Sequence, residues 1–142
     1  MEKKKLMSKA ITFIVFIIIS LLCSTGFTLA YGEFYKEIKN VSLSLKGETI
    51  YSTADKIDFW VERNINYEYK YFPIGIRDTW DDRQGDCTDK AFLKKMMLSY
   101  VGIESRIAHG YIDGDKHDTI YFNINETYYN FEGIDFVGWG RW

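Results

Sequence analysis

The sequence predicts an α+β domain in which helices come first and an antiparallel meander follows. Three observations predict it. Apolar residues recur at three- and four-residue steps in two windows, 53–66 and 87–100, which is the period of an amphipathic helix. From Ile103 onward the pattern shifts to short β-branched and aromatic runs separated by turn residues. Between the helices lies "YEYKYFPIGIRDTWDDRQG", polar and punctuated by Pro73, Gly75 and Gly85. Helices followed by strands, rather than alternating with them, argue for α+β.

The first 31 residues stand apart from this domain. Lys3, Lys4, Lys5 and Lys9 make a basic start, and the run from Ala10 to Cys23 is apolar almost throughout. Thr28-Leu29-Ala30 offers small residues at the spacing of a signal-peptidase site. Residues 1–31 are thus expected to be either a cleaved signal peptide or an N-terminal membrane anchor. Counted through Tyr31, roughly 20 residues would cross a bilayer. In both cases residues 32–142, the domain proper, are expected outside the cytoplasm, secreted or membrane-anchored. The chain has 142 residues in all, enough for one modest core, and 18% of them are aromatic. A net charge of −2 gives no ground for nucleic-acid binding.

Each element follows from its residues. In 32–51, Val41, Leu43 and Leu45 alternate with Ser42, Ser44 and Lys46, which predicts a short strand or extended arm. Ser52, with Asp55 three residues on, reads as a capping box for a helix from Thr53 to about Asn66. Ala54, Ile57, Trp60, Val61 and Ile65 form its apolar face, a core face rather than a cofactor site. The stretch from Tyr67 to Gly85 reads as a long loop, of the kind compact domains keep for function. Its acids lack the spaced ligands of a calcium loop, so no metal is expected. From Cys87 to Tyr100 a second helix turns Cys87, Ala91 and Leu98 to one side, with Phe92, Leu93, Met96 and Met97 widening the apolar face, Lys90, Lys94 and Lys95 as a solvated stripe, and Gly102 stopping it. Strands follow at 103–112, 117–124 and 127–134, with turns at Gly114 and at Asn125-Glu126. The ending "FVGWGRW" either packs back on the sheet or closes a cleft.

Cys87 is the only cysteine outside the N-terminal apolar segment. On count alone, a lone thiol in an exported domain is a small buried hydrophobe. Its position argues otherwise. It opens a helix, where unpaired amides and the helix dipole favour an anion, and where cysteine acidity rises. A thiolate nucleophile needs an imidazole, and the imidazole needs a partner to orient it. His109 and His117 are the two histidines, and both are candidates on chemistry. In a hairpin turning at Asn125-Glu126, His117 falls near Glu132 on the same sheet face, opposite or diagonal. The expected set is Cys87 as nucleophile, His117 as base and Glu132 as orienter, with Asp135 and Asn130 as rivals for the third role. His109 is read as structural.

At this point the chain resembles the transglutaminase-like superfamily, related to papain-type cysteine peptidases. The resemblance rests on Gly85-Asp86-Cys87 at a helix start, Ala91, Leu93 and Leu98 along it, Gly102-Ile103, Arg106, and a histidine-led strand. It runs from about Ile57 to Glu132. It implies a helix carrying the cysteine packed on an antiparallel sheet carrying the histidine and acid. It also implies Trp80 lining the cleft, and Gln84 or the Trp80 indole joining the Cys87 amide as oxyanion donors. Two positions depart from the family pattern: His117-Asp118-Thr119 replaces the common His-x-Trp, and a Glu stands where an Asp is usual.

The implied activity is acyl transfer at amide bonds through a thioester, as a peptidase, an amidase or a transglutaminase, on peptides or proteins such as cell-wall peptides. No cofactor or metal enters that chemistry. The alternative is a catalytically inactive member of the fold that binds peptides or a partner at the cell surface.

Overall fold

A computed structural model of the chain describes residues 2–112, 114–132 and 138–139, with side chains at 13–21, 32–112 and 114–132. Two units are distinguished, Met1–Glu37 and Ile38–Trp142. The first consists of the N-terminal part of α1, a helix running from Glu2 to Ser44. Among the described residues, no helix is long and apolar enough to cross a membrane.

The second unit takes up the end of α1. The extended arm expected at 41–45 is helical instead, up to Ser44. Alternation over five residues is also compatible with a helix, and the four-residue step from Ile38 to Ser42 decides the matter. Both are fully buried, and the Ser42 hydroxyl donates to the Ile38 carbonyl at 2.7 Å. Helix α2 (Ile50–Asn64) starts three residues earlier than its pattern predicts. Thr49, not Ser52, is its N-cap. The Thr49 hydroxyl accepts from the Ser52 amide at 3.0 Å, and the Ser52 hydroxyl accepts from the Thr49 amide at 3.1 Å. Ala54, Ile57 and Val61 bury the expected face.

The stretch read as one loop holds more order. It is bounded by β1 (Asn66–Tyr67) and β2 (Gln84–Gly85), which pair in parallel, Asn66 with Gln84 and Tyr67 with Gly85. Between them lies α3 (Ile76–Asp82). A helix this short leaves too few periodic positions to be read from sequence.

Helix α4 (Cys87–Tyr100) follows, capped by Asp86. The Asp86 carboxylate accepts from the Asp89 amide at 3.0 Å, and Asp89 accepts in turn from the Asp86 amide at 3.3 Å. Gly85 stands immediately before this cap because nothing larger fits: a Cβ there would lie 2.8 Å from Asp89 Cβ. At the other end Gly102 has φ 80°, and the Ile103 amide bonds back to the Leu98 carbonyl at 3.0 Å, closing the helix as expected.

Strands β3 (Ser105–Ile112), β4 (Asp115–Ile124), β5 (Thr127–Tyr129) and β6 (Gly138–Trp139) form an antiparallel sheet of order β5-β4-β3-β6. Asn125 and Glu126 both have positive φ, the mark of a two-residue hairpin turn, and Ile124 pairs with Thr127 as the parity predicts. The third strand is shorter than expected, ending at Tyr129. Ile134 and Asp135 lie outside the described residues. The terminal segment contributes β6, whose Gly138 pairs with His109. Helix α4 packs on β3 and β4, and α2 packs on α4. Ile57, Val61, Leu93, Met97, Leu98, Ile107, Ile120 and Phe122 make the core between them. The architecture is the α+β arrangement that the sequence predicts.

Candidate active site

Cys87 is the first residue of α4, half-buried and unbridged. Its own N–H and that of Thr88 belong to the first helical turn, where no intrahelical acceptor exists. His117 lies near the start of β4, paired across the ladder with Gly110. Glu132 follows β5 by three residues. It lies not on a strand but in the bend after one. Its Oε2 is 2.5 Å from His117 Nε2. Cys87, His117 and Glu132 all line one cavity of about 380 Å³.

The cavity also draws on residues that carry no motif. Asp58 and Glu62 come from α2, Tyr67 from β1, Lys90 and Lys94 from α4, and Asp118 and Thr119 from β4. The stripe of Lys90 and Lys94 expected in solvent is buried instead, with side chains 10% and 4% exposed. The reason is ion pairing. Lys94 Nζ lies 2.6 Å from Asp58 and 2.8 Å from Glu62, and Lys90 Nζ lies 2.8 Å from Glu62. The readable signal was the matched spacing: acids four apart on α2 meet lysines four apart on α4.

Burial alone would pull the Lys94 ammonium below its ordinary range. The Asp58 and Glu62 carboxylates outweigh that and hold it above. Burial also opposes the Glu62 charge, yet Lys94 and Lys90 together keep its carboxyl below the usual value. Asp58 is held above it, since burial exceeds the pull of Lys94. Asp89, beneath the helix cap, is likewise raised by burial while its carboxylate accepts from the Ile74 amide at 3.0 Å.

The remaining candidates fall elsewhere. Trp80 is 4% exposed, stacked on Trp60 with ring centroids 5.3 Å apart, and covered by the Arg83 guanidinium. It is not among the residues lining the cavity, and neither is Gln84, which is exposed on β2. Asn130 is half-buried and does not line it either. His109 meets Asp118 through Nδ1, and Asp118 accepts the Thr88 hydroxyl at 2.7 Å, so this pair ties the tip of α4 to β3 and β4. Among the described residues, no group of three or more His, Cys, Asp or Glu side chains is placed to hold a metal ion.

The model of the transglutaminase-like superfamily matches residues 39–139. The chain belongs to that superfamily. Solved structures share its fold. A candidate cysteine protease from Cytophaga hutchinsonii superposes with a TM-score of 0.65 at 22% identity, covering 75% of this chain and 43% of its own. A TGase gives 0.56 at 11% identity, over 71% of this chain and 30% of its own. LapG of Legionella pneumophila gives 0.53 at 18% identity, over 66% and 68%. The chain thus spans less than half the length of the first two. No curated protein matches it. At these identities the likeness establishes the fold of this superfamily member, and its chemistry has to be argued from the cavity.

Proposed function

We propose that the domain is an exported cysteine-dependent acyl-transfer enzyme acting on amide bonds. One observation carries the reading: the thiol at the tip of α4, the imidazole of His117 and the carboxylate bonded to that imidazole line the same cavity. His117 takes the Cys87 proton, and the thiolate attacks the amide carbonyl carbon. The C–N bond breaks, and the imidazolium gives its proton to the departing amine, leaving a thioester on Sγ. Water or a second amine then attacks the thioester, its proton passes to His117, and the thiolate is released. Hydrolysis gives a peptidase or amidase, and aminolysis a transglutaminase. Amides of the first turn of α4 face the developing oxyanion. Residues 1–31 direct the chain out of the cytoplasm as a cleaved signal or a retained anchor, and the intact mass of the exported protein decides between the two. Peptides or proteins, cell-wall peptides among them, are the proposed substrates.

A second reading, a non-catalytic peptide- or partner-binding module, draws on the positions of Trp80 and Gln84, which leave backbone amides as the oxyanion donors. Cys87 alkylation separates the two. In the acyl-transfer reading iodoacetamide modifies Cys87 rapidly at pH 7, and His117→Ala slows it at least about tenfold. Equal, slow rates in both proteins would favour the binding module.

A further inference from the structure

The Glu132 carboxylate has two oxygens and two neighbours. Oε2 meets His117 Nε2 at 2.5 Å, and Oε1 faces Lys94 Nζ at 3.9 Å. Lys94 is itself fixed from behind by Asp58 at 2.6 Å and Glu62 at 2.8 Å. The four charged groups form an unbroken line from helix α2 to the imidazole. Nothing in the proposed acyl transfer requires such a line, since an imidazole needs only its immediate carboxylate.

A lysine that served packing alone would not need to be ionised at 4% exposure, where an ammonium is costly unless paired. A lysine that served solubility would be outside. Lys94 instead sits where one charge faces the orienting carboxylate at 3.9 Å on one side and bonds two further carboxylates on the other. Its effect on Glu132 has a definite sign. The ammonium offsets the negative charge of Asp58 and Glu62, which would otherwise repel Glu132. It also draws density from the carboxylate that faces the ring.

We infer that Lys94 is a positioning residue of the site: it holds Oε1 of Glu132 so that Oε2 faces His117, and its charge, shared with Asp58 and Glu62, sets how strongly that carboxylate pulls on the imidazole. This rests on His117–Glu132 being the working pair of the proposed function. Other polar and charged groups line the same cavity. Asp118 flanks His117 on β4 and is committed to Thr88 and His109. Helix α4 brings Cys87 and Lys90, the latter held by Glu62. Strand β1 brings Tyr67. Among the described residues none of these pairs with Glu132, whereas Lys94 does, so Lys94 is the charge that bears on the orienting carboxylate.

The test follows the His117 ring resonances by ¹H–¹⁵N NMR across pH in the full chain, for wild type, Lys94→Met, Lys94→Arg and Asp58→Asn. Lys94→Met leaves two carboxylates uncompensated behind Glu132, so the ring should titrate at higher pH than wild type. Asp58→Asn leaves Lys94 with less to neutralise, so the ring should titrate at lower pH. Each shift should be about half a unit or more, as expected of one charge changed on the wall of the same cavity at an intermediate dielectric. Lys94→Arg should restore a near wild-type titration. Asp58→Asn, nearly isosteric and at a partly exposed position, carries the test if Lys94→Met does not fold. Unchanged ring titration in folded variants would overturn the inference and leave Lys94 a structural ion pair. Failure of the proposed function shows differently: Cys87 alkylation would then be slow in wild type and in His117→Ala alike, whatever the ring titrations do.

Discussion

Cys87 and His117 stand at the starts of two different elements, and the reactivity of each depends on atoms its neighbours supply. For Cys87 these are amides, which come with the first turn of any helix and need no further residue. For His117 the supplied atom is one oxygen of Glu132. Glu132→Gln keeps the shape of that side chain and removes its charge, and an amide can turn its NH₂ towards the ring instead of an acceptor. Its expected effect is slower Cys87 alkylation at pH 7, by at least about tenfold, with an unchanged thermal transition. A rate equal to wild type would remove Glu132 from the site. The place of Cys87 at a helix tip could be read from its neighbours, and the hairpin parity brought His117 near Glu132, although each of those two residues alone reads as an ordinary strand polar group. Trp80 was less legible. An aromatic before the cysteine fits a cleft or a core equally well, and only the Trp60 and Arg83 contacts assign it to the core.

At the scale of elements, α4 is the piece on which the site depends, and its start is over-determined. Gly85 lets the chain pass Asp89 closely, Asp86 caps the helix, and Asp89 returns a bond to the Asp86 amide while accepting another from Ile74. Asp86→Ala removes the cap and leaves the buried Asp89 amide without its acceptor. It should cost about 1 kcal/mol of stability, read as a lower urea midpoint with unchanged slope. A midpoint equal to wild type would show that the cap is dispensable. Helices α2 and α4 and the order of the three main strands could be read from the chain, since their apolar periods extend over several turns or rungs. Helix α3 and the two short parallel strands could not. They carry no period long enough to register, and they are held by partners distant in sequence. The end of α1 was misread for a related reason: Val41, Leu43 and Leu45 satisfy a two-residue period, but Ile38 and Ser42 fix a four-residue one.

For the molecule as a whole, the ion cluster between α2 and α4 makes stability depend on pH at the alkaline end. The folded-state value of Lys94 lies above its ordinary 10.5, because Asp58 and Glu62 favour the charged form more than burial disfavours it. The contribution is therefore fully present below pH 10.5 and is lost as pH rises through the higher folded value. Urea midpoints measured from pH 8 to 12 should fall beyond that point in wild type, and less so in Lys94→Met, which has no proton there to lose. Parallel curves for the two proteins would exclude Lys94 as the cause. The cluster could be read only by setting two helices side by side, because a lysine stripe on one amphipathic helix ordinarily faces water. Its true place depends on a second helix, and no single segment reveals that.

The parallel pairing of Asn66 with Gln84 and Tyr67 with Gly85 has a bearing on how such a domain acquires new preferences. These two rungs pin the neck of residues 68–83, so whatever is written into that excursion begins and ends at fixed points beside the cysteine. Its exposed side chains, Tyr69, Tyr71 and Phe72, can be exchanged like an interchangeable tool head, while Ile74, Thr79 and Trp80 stay joined to the handle that carries the sulfur.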